Sequence, residues 1–156
     1  MVYTPPTTEP YGFELLMDLA GCNKKLFTKK MLSSYCKHLC GRTDMVPVKL
    51  VFWDQIWRLR IDRWISKLTH MLGITKADWK PGFASYEDHL NGITCVQFIE
   101  TSNITIHTLS NTGTVLINFF TCKDFDRDIV LDFTREWWGG AGMEYTFELR
   151  GVRWKS

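Results

Sequence analysis

The sequence lacks several features that would place a protein in a broad class at once. Its charges nearly cancel, with 19 Lys and Arg against 17 Asp and Glu and a net charge of +2, so electrostatics favour neither nucleic acid nor an anionic membrane as a partner. It has no apolar run close to the ~20 residues of a membrane span, and its first residues do not follow the pattern of a secretory leader. We therefore expect a cytoplasmic protein without nucleic-acid or membrane partners.

Paired cysteine motifs are also missing. The five cysteines form an odd set without a repeated short spacing, which suits reduced thiols better than a secreted disulfide framework. Cys36, His38 and Cys40 could suggest a metal site, but helix neighbours at i and i+4 bring only two thiols together and no second ligand pair follows. Helix packing is the favoured interpretation of these residues, and no metal is expected.

What is present is enough for one domain with a full core, since 45% of the 156 residues are hydrophobic. Residues 1–11, rich in proline and threonine, are expected to form an irregular arm before a single domain over residues 12–156. Periodicity predicts the following elements: strands over 12–19, 45–53, 93–99, 103–109, 114–121 and 143–154, and helices over 26–39, 58–72 and 124–138.

This order of elements predicts an α+β fold, a two-layer sandwich in which a mainly antiparallel sheet carries helices on one face. The strand over residues 114–121 is largely apolar on both of its faces. One face can pack against the helices, and the other needs a second cover. We therefore expect a homodimer in which two sheets pair face to face.

Ser102, His107 and Cys122 offer a nucleophile, a base and a proton donor on neighbouring predicted strands. Because side chains alternate along a strand, Ser102 would share a face with Ile104 while His107 points the other way. Ser102 and His107 can meet within one chain only if a break or bulge lies near residues 101–103. A straight strand would instead leave Ser102 as a small core residue and His107 on the surface.

The sequence resembles a known family in three places. The stretch 100–108, Glu-Thr-Ser-Asn-Ile-Thr-Ile-His-Thr, and the stretch 120–126, Phe-Thr-Cys-Lys-Asp-Phe-Asp, look like the short prokaryotic type of pyruvoyl-dependent S-adenosylmethionine decarboxylase. The opening stretch 12–22, which ends in Asp-Leu-Ala-Gly-Cys, is similar to the first strand of that family. Residues 53–80 stand as an insertion relative to the family pattern.

The resemblance implies a proenzyme that cleaves itself between Thr101 and Ser102. Ser102 would become a pyruvoyl cofactor, with His107 as the processing base and Thr94 assisting it. The pyruvoyl carbonyl would form a Schiff base with the substrate amine and act as an electron sink, and Cys122 would return a proton to the α-carbon. The implied reaction is the decarboxylation of S-adenosylmethionine for spermidine synthesis.

Four further residues are expected to contact the substrate. Asn103 stands where the family has a histidine, and Asn111 stands where it has the acidic residue that holds the ribose hydroxyls. Phe83 and Tyr86 lie in a long loop and could stack on adenine, face a sulfonium, or simply cover the core.

Two alternatives stay open at this point. An amide at position 111 lacks the charge-assisted hydrogen bond of an acid, so a pyruvoyl-dependent decarboxylase of ornithine or arginine is the first alternative. The second is an unprocessed, non-catalytic homologue that binds a ligand or a partner protein.

Overall fold

The computed structural model describes residues 10–54, 68, 71–72 and 91–151. The helices that lie wholly within these residues are α1 (Lys29–Arg42) and α2 (Arg127–Trp138), with a short 3-10 helix over Lys24–Leu26. Its strands are β1 (Gly12–Ala20), β2 (Pro47–Asp54), β3 (Ile93–Ile99), β4 (Ser102–Leu109), β5 (Thr114–Thr121) and β6 (Gly142–Arg150). The strands form one antiparallel sheet in the order β2-β3-β4-β5-β1-β6, and the predicted α+β fold is confirmed.

Both helices begin and end where the sequence supplies capping groups. The Thr28 hydroxyl accepts the backbone N–H of the third residue of α1, and the Asp126 carboxylate accepts those of the second and third residues of α2. Gly139 ends α2 with φ 61, in the left-handed region that glycine adopts readily. The helix predicted over 124–138 therefore begins three residues later, at Arg127, directly after its N-cap.

Alternation along the strands gives the sheet a helix face, covered by α1 and α2, and an open face on its other side. Side chains buried on the helix face include Leu15, Met17 and Leu19 of β1 and Val115, Ile117 and Phe119 of β5. The open face carries exposed apolar side chains, namely Leu16, Val51, Trp53 and Phe98. Because exposed apolar groups of this size favour a partner surface, the open face is a candidate interface.

A buried aromatic contact joins the two helices above the sheet. The ring of Tyr35 on α1 stacks on that of Phe133 on α2, with ring centroids 5.4 Å apart and planes at 8°. The Tyr35 hydroxyl is 2.7 Å from the Thr134 hydroxyl, in hydrogen-bonding contact, and burial raises the pKa of Tyr35 above its ordinary value. Both residues are fully buried, so water cannot take the place of either hydroxyl as a hydrogen-bond partner.

Replacing Tyr35 by Phe should therefore lower the free energy of unfolding by about 1–3 kcal/mol, because the Thr134 hydroxyl loses its partner in a buried site. Urea denaturation followed by circular dichroism measures the change. The control is Tyr145→Phe on β6, whose side chain is exposed and should tolerate the change. Equal denaturation midpoints for wild type and Tyr35→Phe would show that this hydrogen bond contributes no net stability.

Several predictions concern residues outside those described: most of the arm over 1–11, nearly all of the helix over 58–72 and of the insertion over 53–80, and the loop aromatics Phe83 and Tyr86. Within the described part of the chain, no helix is long and apolar enough to cross a membrane.

Candidate active site

The peptide bond between Thr101 and Ser102 lies at the tip of a β-hairpin. Glu100 and Thr101 form the turn between β3 and β4, and Ile99 pairs with Ser102, the first residue of β4. The pairing of β4 with both neighbours then runs without a shift to its other end. The break expected near residues 101–103 is therefore a two-residue turn that ends before Ser102, and no bulge follows it.

Cys122 makes two contacts with this peptide bond. Its thiol donates to the carbonyl oxygen of Thr101 at 3.3 Å, and its backbone N–H donates to Ser102 Oγ, also at 3.3 Å. The register of β4 on β5, which pairs Asn103 with Phe120, brings the start of one strand beside the end of the other. A donor on the carbonyl oxygen polarises the carbonyl toward addition of a nucleophile, and a donor on Oγ fixes the position of that nucleophile.

Thr94 and His107 form a second group of predicted site residues. They are directly paired across β3 and β4, and Thr94 Oγ1 is 2.9 Å from His107 Nδ1. His107 is exposed on the open face, while Thr94 is half-buried. Asn111 lies beyond the same end of β4, exposed in the turn to β5, where its backbone carbonyl accepts a hydrogen bond from the Lys24 ammonium at 2.8 Å.

The structure thus divides the predicted site residues between the two ends of β4. The cleavage cluster comprises Thr101, Ser102, Asn103 and Cys122, and the histidine cluster comprises Thr94, His107 and Asn111. His107 lies five residue steps beyond Ser102 along a regular strand, which corresponds to about 16 Å at roughly 3.3 Å per residue. Alternation also places the two side chains on opposite faces, so one chain does not bring them together.

Comparison with known protein families matches residues 58–151, more than half of the chain, to the family described as S-adenosylmethionine decarboxylase. The chain belongs to this family. The fold agrees, since the crystal structure of the adenosylmethionine decarboxylase from Aquifex aeolicus VF5 superposes with a TM-score of 0.63 over 96% of this chain and 98% of that one. The two sequences are 14% identical, and comparison with curated protein sequences finds no significant match.

In this member of the decarboxylase family, Cys122 is the most accessible of the five cysteines. The other four are buried. A hydrogen bond with Cys95, followed by burial, raises the pKa of the Cys36 thiol, while burial raises the pKa of Cys22 and takes that of Cys40 to about 11. The raised pKa values keep these three thiols protonated, and Cys95 is enclosed in the core, which leaves Cys122 as the thiol suited to chemistry.

The side chains of Cys36, His38 and Cys40 do not point to a common centre in this fold. The two thiols point into the core, and the exposed His38 ring bonds the Ser34 carbonyl through Nδ1 at 2.7 Å. Among the described residues, no three His, Cys, Asp or Glu side chains are placed to hold a metal ion.

Sequence reasoning missed Thr121, whose hydroxyl lies beside the cleavage cluster. Four side chains of β5 are buried on the helix face, and Thr121 is the polar one among them. The other three are Val115, Ile117 and Phe119. A buried hydroxyl must find hydrogen-bond partners, so its place in an apolar alternation just before Cys122 is the signal that could have revealed it.

Proposed function

We propose that this member of the family is a self-processing, pyruvoyl-dependent decarboxylase that acts on S-adenosylmethionine and supplies aminopropyl groups for spermidine synthesis. The observation that carries the proposal is the double contact of Cys122 with the Thr101–Ser102 peptide. It joins the residue proposed as proton donor to the bond proposed for cleavage, although the two are 21 residues apart in sequence.

Processing begins when Ser102 Oγ adds to the carbonyl carbon of Thr101. The carbon–nitrogen bond breaks, which gives an ester and a free amino group on Ser102. Elimination removes the α-proton of Ser102 and releases Thr101 as a carboxylate. Water then replaces the nitrogen, which leaves as ammonia, and residue 102 becomes a pyruvoyl group. The sequence of steps needs no oxidant, and the two donors of Cys122 support its first step.

The surroundings of Ser102 fit the group that would form there. Residue 102 is half-buried at the start of β4, and the Cys122 thiol lies beside it with a proton to give. When formed, the pyruvoyl carbonyl supplies an electron sink for the loss of carbon dioxide. Cys122 then acts as the general acid that returns a proton to the substrate α-carbon. Asn103 and Asn111, with Phe83 and Tyr86, are proposed substrate contacts.

A homodimer would complete the site, because Ser102 and His107 are held apart within one chain. In a dimer with two-fold symmetry, the two sheets meet through the same surface on each protomer. If open faces pair in opposite directions, the end of the sheet that carries the cleavage cluster of one protomer lies over the histidine cluster of the other. Because Ser102 is the first residue of β4, the imidazole of the other protomer would reach its hydroxyl around the end of the strand. The exposed apolar side chains of the open face support this pairing: Leu16, Val51, Trp53 and Phe98.

Release of labelled carbon dioxide tests the substrate. Purified protein should decarboxylate carboxyl-labelled S-adenosylmethionine and leave ornithine and arginine unchanged, because an adenosyl group and a sulfonium match the proposed contacts. Ser102→Ala is the matched control and should release nothing. Release from ornithine or arginine instead would replace the proposed substrate, and a cleaved protein that is inactive on all three would contradict decarboxylation.

A further inference from the structure

The hydroxyl of Thr121 makes two hydrogen bonds to the residue that follows Cys122. Thr121 Oγ1 accepts the backbone N–H of Lys123 at 2.9 Å and donates to the carbonyl oxygen of Lys123 at 3.0 Å. Cys122 is the single residue between them, and the Thr121 side chain is fully buried. The backbone on both sides of Cys122 is therefore tied to one hydroxyl in the core.

Lys123 is also anchored on its outer side. Its ammonium donates to the backbone oxygen of Asp44 at 2.8 Å and to the carboxylate at 2.7 Å, and this hydrogen bond lowers the pKa of the Asp44 carboxyl. Asp44 has φ 51, a left-handed conformation unusual for a residue with a side chain. Its side chain is 97% exposed, and exposed ion pairs contribute little, so the buried Thr121 hydroxyl dominates the anchoring.

We propose that Thr121 is a positioning residue that holds the thiol and the backbone N–H of Cys122 against the Thr101–Ser102 peptide. Its role in the reaction rests on the proposed function. The contact of the Cys122 N–H with Ser102 Oγ is long for an N–H···O bond, at 3.3 Å, so a small displacement of this residue breaks it. Without the hydroxyl, Cys122 is a bend residue in a short segment between β5 and α2, free to turn away from the cleavage cluster.

The chain offers a matched control in Thr108 on β4. Thr108 is 1% exposed, accepts the backbone N–H of Ile93 at 2.9 Å and donates to the Ile93 carbonyl at 3.1 Å. The residue type, the burial and the pair of hydrogen bonds are the same as at Thr121, but Thr108 lies at the end of β4 remote from Cys122. Replacing either threonine by Val removes an equivalent pair of bonds, and only one replacement should release Cys122.

Alkylation of Cys122 by iodoacetamide measures its position without requiring activity, since the other four cysteines are buried. All variants carry Ser102→Ala, so the chain stays intact. This change removes the Oγ acceptor of the Cys122 N–H in every variant alike, and the alkylation rate therefore reports on the contact of the thiol with the Thr101 carbonyl. Thr121→Val should react about tenfold faster than the parent, the factor that corresponds to losing one or two net hydrogen bonds. Thr121→Ser, which keeps the hydroxyl, and Thr108→Val should react like the parent. Thr121→Ala replaces Thr121→Val if that variant does not fold, and a parental rate in the folded variant would overturn the proposal.

The rate of chain cleavage supplies the second measurement, with Ser102 restored. Thr121→Val should slow cleavage by about 100-fold, the cost of misplacing a reacting group by roughly 1 Å, and Thr121→Ser should restore it. If wild type and Thr121→Val cleave equally fast, Thr121 has no positioning role and the proposed function stands. If the wild type does not cleave, the proposed function is wrong, and the alkylation rates still decide the position of Cys122.

Discussion

Under denaturing conditions the purified protein is expected to separate into two chains of 101 and 55 residues, which together account for the 156 residues of the sequence. Intact-mass spectrometry should find the smaller chain lighter by one ammonia than a peptide that begins with Ser102, because the pyruvoyl group has lost its nitrogen. Edman degradation of that chain should be blocked. Ser102→Ala should give one uncut chain and no decarboxylase activity, since a methyl group cannot add to the Thr101 carbonyl.

Ser33→Ala is the control for this experiment, because Ser33 is an exposed residue of α1 far along the chain from the hairpin. It should be cleaved like the wild type. A wild-type chain that stays intact after prolonged incubation and has no activity would contradict the proposed function. Cleavage that leaves a free Ser102 amino group would indicate ordinary hydrolysis in place of pyruvoyl formation.

Ser102→Ala and His107→Ala are each expected to remain uncut when produced alone, and cleavage should return when the two are produced together. In the mixed dimer, the His107→Ala chain keeps its Ser102 and receives the imidazole from the other chain. Only the His107→Ala chain should therefore be cut. With random pairing of equal amounts, about half of these chains have the right partner, so about half should be cut. Different affinity tags on the two chains let mass spectrometry identify the cleaved one.

The control replaces His107→Ala by His38→Ala. His38 is an exposed imidazole of α1 that lies against Trp137 of α2, and its variant should be cleaved on its own. If mixing restores nothing, the imidazole does not act between protomers as we propose. If His107→Ala alone is cleaved at the wild-type rate, His107 is not the processing base.

Most of the fold could be predicted because the patterns that specify it are local. Apolar and β-branched runs bounded by turn residues located β1, β3 and β5, and the glycine at 139 located the end of α2. The start of α1 was predicted three residues too early, at residue 26, because apolar spacing does not distinguish an α-helix from a preceding 3-10 turn. The Thr28 N-cap was the better guide.

The site was harder to predict because it depends on how strands pair. Alternation correctly separated Ser102 from His107. The break or bulge that the prediction required near residues 101–103 is a turn that ends before Ser102, so it does not bring the two side chains together within one chain. Once that turn is fixed at residues 100 and 101, the register follows and places Thr94 opposite His107. The contact of Cys122 with Thr101 needs the next hairpin as well, so no local pattern could reveal it.

The order of the strands limits when the proposed cleavage could happen. A cut after Thr101 leaves β1, β2 and β3 on one chain and β4, β5 and β6 on the other, yet β1 lies between β5 and β6 in the sheet. The two products are interleaved at three junctions, β3–β4, β5–β1 and β1–β6. Once separated, they would have to find each other in solution, without the tether that keeps their local concentration high. If the chain is cut as we propose, it must therefore fold first and be cut afterwards, and the presence of cleaved chains would show that the sheet was assembled.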